Sequence, residues 1–348
     1  MDRAPAYSVK KNPNYRRARP EHSQQLRRGV QLGFLALNLW IGFEFYRWVR
    51  FFETWGGGLA PTRPPGVEGW LPIASLMNLK TLLATGEFPH LHPAGLFLLL
   101  AFLALSWLLR KSFCSWLCPV GSVSEYLWLL GRKMFRRNWR IPKLGDYALR
   151  SLKYLLMGLF VYAVASMSVE GIKAFLEGPY GVVADVKMLN FFREMGLTGA
   201  IVVAGLVVGS VFIQNFWCRY LCPYGALFGL FSWLSPLRIK REASLCIDCE
   251  KCAKACPSGL AVDKLVTIGS VECTGCMRCI TSCPAEGALH MSIVGSRRPV
   301  PAWAIAAAVV GIFLGVVAYA RLSGHWHTNL PQSTYQQLVP RADEFSHP

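Results

Sequence analysis

Apolar residues in this chain gather into five long runs, at 30–52, 94–109, 149–169, 197–217 and 301–320. A hydrocarbon core of about 30 Å is crossed by roughly 20 helical residues, so the pattern predicts five membrane-spanning helices. The second run is the shortest. Leu91 and the apolar residues beyond Arg110 and Lys111 extend it, with those two side chains snorkelling to the surface. Residues 238–298 break the pattern: charged residues and cysteines crowd together, which predicts a small α+β module inserted between the fourth and fifth helices.

With 53% hydrophobic and only 16% charged residues among 348, the chain is too apolar for an ordinary soluble enzyme, a disordered segment or a disulfide-stapled secreted domain. Charge then supplies an orientation. Of 37 Lys and Arg, 28 lie in the segments up to Arg28, from Arg110 to Lys153, at Arg219 and from Arg238 to Arg298, and nine flank the other ends of the runs. The positive-inside rule predicts a bacterial cytoplasmic (inner) membrane protein with a cytoplasmic N-terminus and insert and a periplasmic C-terminus. The net charge of +17 is thereby a topology signal, with lipid as the partner and no nucleic acid.

The expected domains are a basic cytoplasmic tail (1–28), a four-helix membrane domain (29–237), the insert (238–298), a fifth helix (299–320) and a periplasmic tail (321–348). The first 28 residues lack the apolar core of a cleavable signal, so the first run is expected to act as an uncleaved anchor. The loop 53–92, with Gly56, Gly57 and Gly58, is expected to be irregular. Its counterpart at 170–196 is expected to hold a short interfacial helix, and the C-terminal tail to dock a periplasmic partner.

The second and fourth runs end alike, in Cys114-Ser115-Trp116-Leu117-Cys118-Pro119-Val120-Gly121 and Cys218-Arg219-Tyr220-Leu221-Cys222-Pro223-Tyr224-Gly225. Each follows an up-and-down pair of runs and precedes an aromatic, amphipathic stretch, which predicts a parallel two-helix repeat. Cysteines four apart share one helical face, and the proline ends one helix while suiting the first turn of the next. Cys114, Cys118, Cys218 and Cys222 could thus converge as a third metal or redox centre; the alternative is that they are small buried residues packing the repeat.

The insert carries Cys246-x2-Cys249-x2-Cys252-x3-Cys256-Pro257 and Cys273-x2-Cys276-x2-Cys279-x3-Cys283-Pro284, two bacterial ferredoxin runs. Three thiolates at this spacing wrap one face of a cubane, and in two-cluster modules the fourth crosses over. Cys246, Cys249, Cys252 and Cys283 are therefore expected to hold one [4Fe–4S] cluster, and Cys256, Cys273, Cys276 and Cys279 the other. Paired zinc is the rival reading of C-x2-C pairs, but two complete runs speak against it. Disulfides are disfavoured on the reducing cytoplasmic side.

None of the seven histidines lies in a run, and C-x-x-C-H, a P-loop and a dinucleotide fingerprint are missing, which excludes intramembrane or c-type haem and gives no support to ATP or nicotinamide chemistry. If quinone is the substrate, Glu44, the one carboxylate inside a run, is the candidate for its site; a hydrogen-bonded carboxyl or an ion pair with Arg47 is the bland alternative. His90 and His92 are read mainly as solvated loop residues.

The combination of span-end C-x3-C-P motifs with a two-cluster insert resembles the NapH/NosR family of membrane-bound polyferredoxins, including its YccM-like, 4Fe-4S quinol dehydrogenase-like members, over roughly 30–320. The resemblance implies electron transfer between the quinone pool and a redox partner protein, whether a soluble or periplasmic reductase or a cytochrome. It departs from NosR in having no large flavin-binding domain ahead of the first run. The reading is an electron carrier, as the quinol dehydrogenase component of a respiratory chain. The alternative is a membrane redox regulator or maturation factor using the clusters and the C-x3-C-P thiols.

Overall fold

The computed structural model describes residues 16–18, 21–54, 61–296 and 298–347, so the expectation for Gly56 to Gly58 lies outside the described residues. In chain order the helices are α1 (Ser23–Glu53), α2 (Pro72–Thr85), α3 (Pro93–Leu108), α4 (Ser112–Trp116), α5 (Pro119–Phe135) and α6 (Lys143–Ser166). They continue with α7 (Val169–Glu177), α8 (Pro179–Val182), α9 (Ala184–Arg193), α10 (Leu197–Phe212), α11 (Phe216–Tyr220) and α12 (Pro223–Trp233). The insert adds strands β1 (Leu237–Arg241), β2 (Thr267–Ile268) and β3 (Leu289–Ile293) with short helices α13 (Lys251–Ala255) and α14 (Arg278–Thr281); α15 (Ala302–Leu322) and α16 (Gln332–Leu338) follow.

Among the described residues two helices, α6 and α15, are long and apolar enough to cross a membrane. The α9–α10 pair would make a third if its 82° bend belongs to one broken span, and α3 is apolar but shorter. Helix α10 stops at Phe212, five residues before the fourth apolar run ends, because the chain breaks at 213–215 and restarts as α11, with Asn215 at φ 52°. Helix α1 begins at Ser23, inside the segment read as a basic tail.

The chain divides into two compact units. One comprises the chain up to Phe34, Leu103–Arg150 and Gly209–Gly311, and it holds all twelve cysteines. Its insert is an antiparallel sheet of order β2-β1-β3, with Ile239 paired to Ile268 on one side and to Met291 on the other. Leu237 and Ile239 point inward and alternate with Arg238 and Lys240, the period-2 signature of a strand with one buried face. Residues 16–18 join this module: Arg17 bridges Ala285, and the Ala18 N–H donates to the Pro284 carbonyl at 2.9 Å.

The other unit comprises Leu35–Phe102, Ser151–Val208 and Ile312–Pro348. Its core joins Phe45, Trp48, Val49 and Phe52 of α1 to Ile172, Val183 and Val186 and to the C-terminal tail through Tyr335, Val339 and Ala342. The Trp48 and Tyr335 rings meet edge to face, 4.9 Å apart. The loop 53–92 is not irregular throughout, as the sequence led one to expect. The loop 53–92 contains the 14-residue α2, which Pro72 starts and Gly86 ends in a left-handed cap. Segment 170–196 holds the expected short helix and two more, and Tyr335, Val339 and Ala342 of the tail are buried within its own unit.

His92 is likewise buried, at 2% exposure. Its Nε2 lies 3.0 Å from the Gly181 carbonyl and its Nδ1 lies 3.7 Å from Glu68. Arg63 bridges Glu68 at 2.7 Å and Asp185 at 2.6 Å, while the Thr328 hydroxyl donates to Glu68 at 2.9 Å. Burial alone would raise the Glu68 carboxyl, but Arg63 and His92 hold it down to about 2. Charges that cannot be hydrated survive burial only when paired in this way.

Candidate metal centre

The repeated motif is built the same way twice. A 16-residue helix (α3, α10) ends, a five-residue helix follows (α4, α11), and a cysteine then caps the next helix (α5, α12). Pro119 and Pro223 occupy the first turn, where a missing N–H costs nothing. The Gly121 N–H donates to Cys118 Sγ at 3.4 Å and the Gly225 N–H to Cys222 Sγ at 3.3 Å. Four thiols converge: burial pushes Cys118 up to about 12 and Cys218 well above its usual value, and Cys114 and Cys222 add to both shifts.

The two copies differ in tolerance. A Cβ on Gly121 would lie 2.2 Å from the Cys114 carbonyl oxygen, whereas one on Gly225 would meet nothing closer than 3.3 Å. Gly121→Ala should therefore lower stability by about 1–3 kcal/mol, as overpacking does, and Gly225→Ala should cost less, since its contact is far less close. Thermal unfolding of the two variants in the same detergent checks the contrast; equal midpoints would contradict it.

Between the paired cysteines lie the residues that hold the insert. In the first copy the Ser115 hydroxyl donates to the Thr274 carbonyl at 2.6 Å and Trp116 Nε1 to the Gly275 carbonyl at 3.3 Å. Arg110, fully buried, adds a 2.6 Å bond to the Ser270 carbonyl. In the second copy Arg219 donates to the Pro257 carbonyl at 3.1 Å and pairs with Asp146, which also accepts from Tyr220 at 2.6 Å and pairs with Arg150. Arg150 in turn reaches the Ser258 carbonyl at 2.9 Å. Both copies thus grip the loops that carry Cys256, Cys273 and Cys276.

A charge cluster closes that grip. Glu125 of α5 accepts from Arg27 of α1 at 2.5 Å and from Arg278 at 2.6 Å. Arg278 also stacks over Trp128, 4.7 Å from its centroid. Arg27 further donates to the Ser115 carbonyl, and Gln24 to the Cys276 carbonyl, both at 2.9 Å. Burial raises the Cys276 thiol, and the Arg27 charge opposes that rise. Neither Arg27 nor Glu125 was singled out from sequence. Their signal was available only as charges inside otherwise apolar or tail-like stretches.

Cys246, Cys249, Cys252 and Cys283 line one cavity together with Arg241, Glu250 and Asp263. Cys279 and Cys256, both buried, are pushed upward by desolvation and also by Cys276 and Cys273. All twelve cysteines are free thiols. Among the described residues no three His, Cys, Asp or Glu side chains close around a single-ion site. Glu44 belongs to the other unit, where it is paired with Arg47 at 3.2 Å and partly exposed.

One family model, a 4Fe-4S binding domain, matches the chain over 91–142 and again over 195–242; a second, a 4Fe-4S dicluster domain, matches 238–284. The first model covers both copies of the C-x3-C-P unit. The chain is 47% identical over 326 residues to YccM of Escherichia coli strain K12, whose name places it in electron transport, covering 92% of this chain and 91% of that protein. It is 27% identical over 269 residues to the ferredoxin-type protein NapH of Haemophilus influenzae, 74% of this chain and 85% of that one. To the regulatory protein NosR of Pseudomonas aeruginosa it is 34% identical over 194 residues, 53% of this chain and 25% of that one. No solved structure matches the chain.

Proposed function

Because the chain belongs to the NapH/NosR family of ferredoxin-type, 4Fe-4S electron-transport proteins, to which YccM also belongs, we propose that it is a membrane-bound electron carrier between the quinone pool and a redox partner protein. The observation that carries the reading is the gathering of Cys246, Cys249, Cys252 and Cys283 around one cavity, while both C-x3-C-P units hold the loops that carry the other insert cysteines. Cys246, Cys249, Cys252 and Cys283 would hold one [4Fe–4S] cluster, and Cys256, Cys273, Cys276 and Cys279 the second. When bound, such clusters supply one-electron carriers whose potential follows hydrogen bonding and exposure.

The chain's own residues prepare these places. Arg27, held by Glu125, brings positive charge to the Cys276 loop and opposes the rise that burial imposes on that thiol. Ser115, Trp116, Arg110, Arg219 and Arg150 fix the loop carbonyls, so the cysteines between them have little freedom to move. The quartet Cys114, Cys118, Cys218 and Cys222 is a third place with four converging sulfurs; a cationic centre there would reverse the burial that now favours neutral thiols.

In this reading α1, α3, α6, α10 and α15 all cross a bacterial inner membrane, with the cysteines on the cytoplasmic side and α16 in the periplasm. The lopsided distribution of the 37 basic residues supports that orientation. Full-length protein purified anaerobically in detergent tests the quinone link. A short-chain quinol should bleach its visible sulfur-to-iron absorbance within minutes. Bleaching by dithionite but not by quinol would remove quinone from the proposal.

A further inference from the structure

Cys283, Ala285 and Leu289 line two cavities at once: the one that gathers Cys246, Cys249 and Cys252, and a neighbour of about 250 Å³. The neighbour approaches the lower bound of small-molecule pockets, about 300 Å³, and has room for one substituted six-membered ring. Its apolar lining includes Met277, Ile280 and Pro301. Glu21 and His290 line it from separate segments, with Glu286 and Thr281 also on the wall.

Two backbone clasps define the space. On one side the N-terminal segment is pinned to the ferredoxin loop: Ala18 N–H donates to the Pro284 carbonyl and Glu286 N–H to the Arg16 carbonyl, each at 2.9 Å. On another, Val300 N–H donates to the Met291 carbonyl at 2.7 Å, which draws Pro299, Val300 and Pro301 over the sheet. Pro301 and Ala302 lead into α15, one of the two helices long and apolar enough to cross a bilayer. A ligand here would have an apolar helix beside it and a cluster-ligand candidate as its wall.

We propose that this cavity binds the ring of a membrane quinone, with Glu21 and His290 hydrogen-bonding the two ring oxygens and the apolar tail lying along α15. The inference rests on the quinone reading above and adds its location. A hydroquinone presents two O–H donors at opposite ends of its ring, and a carboxylate and a neutral imidazole nitrogen are acceptors of the required kind. Electron tunnelling weakens exponentially with distance, so a redox-active ring is useful only close to a metal-binding thiolate; Cys283 meets that need. A larger cleft of about 900 Å³ in the other unit, lined by Phe160, Met167, Tyr180 and His347, has no cysteine in its wall.

The test is photolabelling of full-length protein in nanodiscs with an azidoquinone bearing a decyl tail, followed by mass spectrometry of the peptides. Saturable label should fall within 277–302, and Ile280→Trp, which fills the space, should reduce it at least tenfold with iron content unchanged. If that variant loses iron, His290→Ala provides the same comparison. Label confined to 160–180 and 344–347 would overturn this site while leaving the quinone reading intact. Label at 277–302 that neither variant weakens would also overturn it. Saturable label nowhere would overturn both the site and the quinone reading.

Discussion

Alanine at Cys283 should lower the iron content of the anaerobically purified protein from about eight to about four per chain, and alanine at Cys249 should do the same. The double variant discriminates between pairings. If the fourth cysteine of each run crosses over, Cys249 and Cys283 serve one cluster, and Cys249→Ala with Cys283→Ala still leaves about four irons. If each run serves itself, the pair destroys both clusters and almost no iron remains. Crossing is the expected result, because Cys283 lines one cavity with Cys246, Cys249 and Cys252, whereas the Cys256 thiol responds to Cys273 and Cys276. The same measurement addresses the C-x3-C-P quartet. Iron above eight that falls when Cys118 and Cys222 are both changed to Ser would assign a third centre; iron that does not change would leave those thiols a packing role.

The second large effect is expected at Glu125. Its carboxylate sits between Arg27, whose side chain is wholly buried, and Arg278, 14% exposed. Glu125→Gln leaves two guanidiniums without their counter-charge, a change that costs about 3–5 kcal/mol when the remaining charge is buried. The unfolding midpoint in detergent should drop steeply, and iron should be lost from the Cys276 side first. Adding Arg27→Met should recover part of the loss, since removing both members of a buried pair is far milder than removing one. No recovery would mean that Arg27 acts through its bonds to Ser115 rather than through charge.

This site also has a pH signature. Burial by itself would raise the Glu125 carboxyl, but the hydrogen bonds and charges of Arg27 and Arg278 hold it down to about 2. A carboxyl whose folded value lies below its unfolded value of about 4.3 stabilises the fold above that value and ceases to do so as pH falls toward 2. Wild-type midpoints should therefore decline across that window more steeply than those of Glu125→Gln.

Much of this was legible in the linear chain because its signals are local. The ferredoxin runs announce themselves through thiol spacing, since a cubane's size dictates the number of residues between ligands. The duplicated C-x3-C-P units were visible as repeated text, and the proline after each pair correctly marked a helix start. Two of the five apolar runs coincide with helices long and apolar enough to span, α6 and α15, while the break at 213–215 was not legible, because Asn215 in a left-handed conformation leaves no mark on hydropathy.

What stayed hidden depends on partners far apart in the chain. Arg27 read as one more basic tail residue until it met Glu125 and lay beside Cys276; His92 read as solvated until Glu68 and Gly181 enclosed it. Tyr335 and Val339 read as a free tail until Trp48 and Phe52 offered apolar surface. The sequence by itself determined the cysteine spacing of the two ferredoxin runs, the duplicated C-x3-C-P units and the family, all set by order along one chain. Only the tertiary structure decided that Cys283 lines a cavity with Cys246, Cys249 and Cys252, which charges are buried beside the Cys276 loop, and where a second cavity backs onto Cys283. Those outcomes depend on desolvation and on distances across space, which residue spacing does not encode.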